Sequence, residues 1–533
     1  MNQSGVFIPA ADSPNHCVAD RILAQAGYVQ ETSEGMYAYF PLAGKVLENI
    51  KQIIRSEMEA AGVLEVDLPY EQFEHASGKS DEMIILSFIA KEVISSEQLP
   101  ISVFHIKQHV RSAERLAPEN GLLSAKEFAL MSGYSFHTDT AEAKEHSSLL
   151  HSVFSGIFTK IGIPFSVMQS EQEAGMTAYE FVAYSDCGEE WIARNPSGSY
   201  VSRAEFTEAF REVRDEKTKQ KPAEKTAGSG QTVDQLAEAS GIIPARVIHS
   251  YLYEISGEPA VVLIRGDREL NELKLQKASG SVSLIKLPDA KVKEILGTEP
   301  TTLGPVQLPF GFRVFADYSV ESVVNGLCGA NEADTFLLNV NPDRDFTVDE
   351  YMDIRSVAEG EPSPDGNGAL LFSKGTVLAR ILDPKPVFSK IDIAGKGTLE
   401  VSTGYSYMDL TRLFAVTAEH YSDGLGLKWP LRLAPYDVHL LIEDFEDATQ
   451  RQLAEELDAV MEGYRYRILF DNRNVGVEDK RRTSDLLGIP VKITVGSEAE
   501  DGMIEVTYRS TGETRHWRKE EVTEKLQEFF RTE

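Results

Sequence analysis

From Tyr436 onward the apolar residues switch repeatedly between two spacings, and this switching limits the fold more than any other feature of the chain. YDVHLLI, YRILF, VKITVG and MIEVTYRS are short runs rich in β-branched and aromatic residues, and they read as strands. Between them, ATQRQLAEELDAVME and DKRRTSDLLG carry apolar residues at the spacing of a helix with one buried face. Strands alternating with such helices predict a separate α/β domain with a mixed sheet over 435–533, closed by a last helix.

Upstream the order is different. Residues 18–61 predict a helix, a hairpin and a long amphipathic helix, GKVLENIKQIIRSEMEAAG, with Gly62 as its stop. LEVDLPY reads as a strand closed by Pro69. LPISVFHI and KEFALMSGYSF read as antiparallel strands joined by the charged stretch HVRSAERLAPENGLLSAKEF. A helix is expected at about 139–161 and a strand pair at about 164–194. EVRDEKTKQKPAEKTAGSGQ, from Glu212, has no apolar period and reads as a linker. TVDQLAEASGI, VIHSYLYEI and EPAVVLIRGD then open a compact α/β insert over 224–375, and 375–434 returns to strands ending in the helix TRLFAVTAEHYSD.

A chain of 533 residues is long enough for about three or four domains. It holds no apolar run of about 18 residues, so no transmembrane helix is expected. MNQSGVFIPAADSPN has neither the basic start nor the apolar core of a signal peptide. Cys17, Cys187 and Cys328 lie far apart with no CxxC pair, which fits a reducing, cytoplasmic setting and no structural metal. The net charge of −31 argues against a protein that coats nucleic acid non-specifically. Basic clusters at 217–221 and 479–482 leave room for a local RNA-facing surface, or for nothing more than solvated charge.

Several stretches resemble one family. GYVQETSEGMYAYFPLAGKVLENIKQIIRSEMEAAGVLEVDLPY is similar to the first class II motif of bacterial prolyl-tRNA synthetases. TVDQLAEASGIIPARVIHSYLY, VVLIRGDRELNELKL, GLCGANEADTF, VNPDRDF and EGEPSPDGNGAL resemble that family's inserted editing domain; KWPLRLAPYDVHLL and DLLGIPVKITVG resemble its anticodon-binding domain. The resemblance implies an α+β multidomain architecture. Residues 1–215 and 376–434 would form a class II antiparallel catalytic sheet, split by the editing domain at 224–375 and followed by the anticodon-binding domain at 435–533. It also implies ATP with Mg2+, proline and tRNA as ligands, and a homodimer with the helix at 45–61 near its interface.

By the same resemblance, Arg111 and Arg412 are the second- and third-motif arginines that hold ATP phosphates, and Glu127 keeps a family position beside them. A guanidinium suits a phosphate better than an ammonium does. The surroundings depart from the family. Ser112 and Ala113 stand where an aspartate and a glutamate follow the arginine, and Lys126 replaces a later arginine. In SFIAKEVISSEQLP, Ile89 and Lys91 replace the threonine and glutamate that help hold the proline ammonium, so an acceptor has become a cation. Tyr407 and Asp409 replace two glycines that leave room for adenine, and Val377 and Arg380 replace a glutamate and a histidine. Loss of one pre-organised polar group costs roughly 3–4 kcal/mol in a transition state, so proline ligation is expected to be lost.

The insert follows the family closely. A proline pocket rejects alanine weakly, because a missing methylene or two is worth only about 1–3 kcal/mol, and a second site must hydrolyse the mischarged ester. Lys274, Gly329, Asn331 and Asp345 match residues of that site. RGDRELN has a competing reading as a purely structural segment. In the last domain Asp471, Arg473 and Lys480 match tRNA-contacting positions, while Gly476, Val477 and Glu478 replace arginine, proline and glycine. Four readings result, in order: an editing deacylase that has lost ligation, a working proline–tRNA ligase, a non-catalytic tRNA-binding or regulatory paralogue, and an enzyme that activates another carboxylate.

Overall fold

The computed structural model describes residues 1–11, 16–68, 81–93, 95–111, 117–171, 177–212, 219–228, 230–297, 299–309, 311–383, 389–393 and 397–532. It divides into two compact units, Met1–Glu190 with Ser373–Glu533, and Trp191–Phe372.

In the first unit, α1 (Val18–Gln25) leads into the antiparallel hairpin Val29–Ser33/Met36–Tyr39 and then α2 (Pro41–Ala60). Proline suits the first turn of α2, where its missing N–H would have no partner. Leu42, Val46, Ile50, Ile54 and Met58 recur every four residues and are buried. α3 (Asp81–Glu92) and α4 (Thr140–Ile161) come next, and Asp139 caps α4 by accepting from two backbone N–H groups. Seven strands make the central path: β1 (Leu64–Glu65), β2 (Ile101–Val110), β3 (Glu127–His137), β4 (Phe165–Glu171), β5 (Thr177–Tyr184), β6 (Leu371–Leu382) and β7 (Gly397–Asp409). Their order is β1-β2-β3-β7-β6-β5-β4, antiparallel apart from the β1–β2 pair.

Register and period 2 give this sheet two different faces. Ile106, Met131, Met408, Ala379 and Phe181 stand opposite one another and belong to the main core. The adjacent row, His105, Ser132, Tyr407, Arg380 and Glu180, faces the other way. α5 (Leu410–His420) starts where β7 ends.

The C-terminal strands lie in the order Ile468–Asp471, Val438–Ile442, Val491–Val495, Met503–Tyr508, Thr514–Arg518. The first three are parallel and the last two antiparallel, giving the expected mixed sheet.

The second unit holds a five-stranded sheet, Leu284–Lys286, Ile248–Ile255, Glu258–Arg265, Arg313–Asp317 and Glu350–Met352 in that order. A three-stranded antiparallel sheet joins Glu224–Ala227, Thr335–Val340 and Gly326–Gly329.

Four local expectations are corrected. Among the described residues of LEVDLPY, only Leu64–Glu65 is strand. Glu224–Ala227, within the supposed linker, is a strand at a sheet edge; its polar residues suit an edge that faces solvent. Thr514–Arg518 is an additional strand whose one buried residue is Trp517, too sparse a pattern to signal burial. Finally, Cys17 and Cys187 are joined as a disulfide, while Cys328 is a buried free thiol. No helix among the described residues is long and apolar enough to cross a membrane.

Candidate active site

Arg111 comes directly after β2, and its N–H donates to Lys126 O at 2.7 Å, closing the strand ladder. Its guanidinium lies 4.7 Å from the centre of the Phe128 ring and donates to Ala125 O at 3.3 Å. Arg412 sits in the first turn of α5. Asp409 caps that helix, accepting from Arg412 N at 2.9 Å. The same carboxylate carries a second load: its Oδ2 stands 3.5 Å from Arg111 and 3.5 Å from Arg412. The two arginines expected to hold phosphates therefore converge, but on a resident carboxylate.

Arg412 is saturated beyond that contact. It donates to Leu123 O at 2.9 Å, to Val377 O at 3.1 Å and to both Glu189 oxygens at 2.7 and 2.6 Å. Burial pushes the Asp409 carboxyl up, against the pull of Arg412 and Arg111. Burial pulls the Arg111 guanidinium down, and neighbouring Arg412 adds to this. An incoming anion must displace charge-assisted hydrogen bonds worth about 1.5–3 kcal/mol, roughly ten- to a hundredfold in affinity.

Beside this cluster Glu180 is fully buried and pairs with Arg380 at 2.5 Å. Arg380 lies 5.6 Å from the Tyr407 ring centre. Arg380, expected to stand at a histidine position, thus has its charge already met from the neighbouring strand. Glu127 opens β3 and lines an open cavity of about 550 Å3 with Asp67, Leu68, Lys107 and His109. Ile89 lies on α3 in a core cluster with Tyr134 and Phe136, and Lys91 on the same helix is exposed. This stretch is a helix rather than an amine-holding loop. Ser112 and Ala113 lie outside the described residues.

In the insert the four candidates fall in different surroundings. Gly329 and Asn331 meet one loop. A Cβ on Gly329 would come within 2.2 Å of Thr302 O, and one on Gly304 within 1.8 Å of Gly329 O, so both positions need glycine for backbone-to-backbone contact. Asn331, at φ +55, accepts from Gly304 N at 2.8 Å and donates to Gly304 O at 3.0 Å and Val306 O at 2.8 Å. The result is a rigid clasp of two turns. Asp345 accepts from Asn341 N at 2.7 Å and pairs with Arg344 at 2.6 Å. Its own burial raises the carboxyl, but these bonds outweigh that and hold it below the usual range. Burial, helped by the Asp345 charge, raises the Cys328 thiol beside Gly329.

Lys274 is buried elsewhere, donating to both Asp353 oxygens at 3.1 Å and to Arg355 O at 2.9 Å. Burial lowers its ammonium, opposed by Asp353. The adjoining RGDRELN behaves likewise. Arg265 pairs with Glu212 and Asp267, Arg268 with Glu212 and Glu361, and Asn271 donates to Glu205 O. Its charged residues thus hold 205–212 and 353–361 against the sheet.

In the C-terminal domain Asp471 is buried and accepts from Arg473 at 2.8 and 2.6 Å. Lys480, expected to face tRNA, is fully buried and donates to Ile442 O at 2.7 Å, so its ammonium points into the domain. Glu478 is exposed in the first turn of the helix Val477–Leu487, where a negative charge is favoured by the helix dipole. Glu189, Glu180 and Asp353 are the partners that sequence reading missed.

Comparison with known proteins identifies the family. Residues 228–346 match the aminoacyl-tRNA editing domain, and 438–529 the anticodon binding domain. The two together define a synthetase-type protein with a proofreading insert. The chain is 34% identical over 571 residues to a proline–tRNA ligase of Lysinibacillus sphaericus, covering all of both chains. It is 32% identical to one of Lactiplantibacillus plantarum, with 99% of each covered. Prolyl-tRNA synthetase of Cryptosporidium parvum, solved with L-proline and AMP, shares the fold at a TM-score of 0.50 and 12% identity, over 96% of this chain and 78% of that one. The chain belongs to the prolyl-tRNA synthetase family, with a class II fold, an editing domain and an anticodon-binding domain.

Proposed function

We propose that this family member works on tRNA in the hydrolytic direction: its insert clears alanine from tRNA carrying the proline anticodon, while ligation of proline with ATP is lost. The observation that carries the reading is the occupation of Arg111 and Arg412 by Asp409 and Glu189, where ATP phosphates would lie. The clasp of Gly304, Gly329 and Asn331 offers backbone groups for the ester end, with water as the attacking species. Lys274 acts here by holding the insert together, and Asp345 as an ionised carboxylate of the same unit. Partners on this reading are tRNA, gripped in part through the Asp471–Arg473 corner, and a second copy of the chain. The setting is the cytoplasm.

The test is a pair of assays on the full-length protein: deacylation of alanyl-tRNA, and proline-dependent exchange of pyrophosphate into ATP. Deacylation without exchange supports the reading, and exchange at a synthetase-like rate overturns it. One observation favours a working ligase instead. The two arginines do converge, within 3.5 Å of a single oxygen, so a phosphate that displaced Asp409 would find them assembled; ATP with Mg2+ would then be the cofactor.

A further inference from the structure

We propose that Cys17 and Cys187 form a redox site that governs anion access to Arg412; the proposal rests on the reading of the nucleotide site as closed. Cys17 stands immediately before α1, 2% exposed, and its sulfur lies 3.5 Å from Glu119 O in the loop between β2 and β3. Cys187 is half-buried in the turn after β5, 170 residues away. The bond therefore ties the neighbourhood of the Arg111 loop to a turn that lies on the far side of the site in sequence.

The residues just after Cys187 give the bond its consequence. Two positions on, Glu189 holds Arg412 through both carboxylate oxygens at 2.7 and 2.6 Å. The start of the turn is fixed independently: Ser185 Oγ donates to Glu419 at 2.6 Å and Asp186 N at 3.2 Å, both onto α5. Its Glu189 side is fixed by the disulfide and by the close passage of Gly188 against Gly375, where a Cβ would meet Gly375 N at 2.4 Å. With the crosslink gone, one of the two anchors on the Glu189 side is gone, and the carboxylate can yield Arg412 to a phosphate.

The chemistry needs a dithiol reductant. Its thiolate attacks the more accessible sulfur, Cys187, and the Cys17 thiolate leaves and is protonated. The second reductant thiol then closes the reductant's own disulfide and releases Cys187 as a thiol. One protein disulfide and one dithiol become two protein thiols and one reductant disulfide.

The experiment uses the full-length protein treated with diamide or with dithiothreitol. Alkylation under denaturing conditions with mass spectrometry counts the thiols, and equilibrium dialysis measures Mg-ATP binding. Expected are Cys328 alone alkylated after diamide and all three cysteines after reduction, with Mg-ATP bound about tenfold more tightly by the reduced form. Cys187→Ser should bind like reduced wild type in both conditions. Glu189→Gln should bind more tightly and lose the dependence on redox state.

Alkylation of Cys17 and Cys187 after diamide overturns the proposal, as does redox dependence that survives in Glu189→Gln. Equal binding by oxidised and reduced wild type, with tighter binding by Glu189→Gln, overturns the redox site and leaves the closed nucleotide site standing. Tight binding in both states, unchanged in Glu189→Gln, overturns both. A matching change in alanyl-tRNA deacylation also overturns it, since the effect would then be global rather than local to Arg412.

Discussion

The ligation centre and the editing insert both meet their arginines and lysines with carboxylates, to opposite effect. At the ligation centre of the proposed reading the carboxylates belong to the site: Asp409 lies between Arg111 and Arg412, and Glu189 takes the remaining face of Arg412. On that reading the charges that should bind a substrate are spent on the chain itself. In the insert the carboxylates come from connecting segments, Glu212, Asp353 and Glu361, so the charged motif stabilises the fold. The surface proposed to meet an ester there is backbone. A charged residue in a family motif is thus a guide to chemistry only when its partner is known.

The largest expected effect breaks this comparison on the insert side. Asp353→Ala would strand the Lys274 ammonium with 6% of its side chain exposed, and removing one partner of a buried pair costs about 3–5 kcal/mol. Chemical denaturation should show that loss, and an unchanged midpoint would mean that Lys274 is not held as described. Next comes the clasp. Gly329→Ala puts a methyl group 2.2 Å from Thr302 O and 2.4 Å from Leu303 O, an overpacking worth about 1–3 kcal/mol. Deacylation should fall with it, while retained deacylation in a destabilised variant would move the hydrolytic site elsewhere.

The ligation centre sharpens the comparison at a smaller scale. Asp409→Asn keeps a good helix cap but removes the charge between the arginines, so Mg-ATP affinity should rise about tenfold by calorimetric titration. No change would return the arginines to a structural role.

The smallest effect concerns pH. Hydrogen bonds from Arg265, ahead of the opposing cost of burial, bring the Glu212 carboxyl down to about 2. A depressed carboxyl stabilises the fold above its unfolded value of about 4.3, and this contribution is lost as pH falls toward about 2. Denaturation midpoints of Glu212→Gln should therefore depend less on pH across that window than those of wild type, whose curve would otherwise overlay the variant's.

Much of the fold was legible because its signals are local. The four-residue repeat of α2 and the strand–helix alternation after Tyr436 each lie within a short window and became the expected elements. Elements whose stability comes from a distant partner were not legible. Glu224–Ala227 is a strand because Thr335–Val340 lies beside it, not because of its own composition. The same holds at the sites. Arg111, Arg412 and the changed residues Tyr407 and Asp409 were readable as positions, but Asp409's hold on two guanidinium groups was not. Glu189 is 223 residues from Arg412 and Asp353 is 79 from Lys274, with no spacing to link them. Lys480 illustrates the reverse error, because a basic cluster reads as surface until one member is found in the core.

Contacts of extreme sequence separation also bear on how this chain is made. Tyr28 Oη donates to Leu487 O at 2.7 Å and accepts from Trp429 Nε1 at 2.9 Å, while Gln3 meets buried His439 at 2.8 Å. None of these can form until more than 400 later residues have left the ribosome. Trp191–Phe372, by contrast, holds its own core and is complete well before then. During synthesis the interrupting unit is free to finish first, and the other unit waits with its first helix unsealed, the interval in which a long chain most needs protection from aggregation.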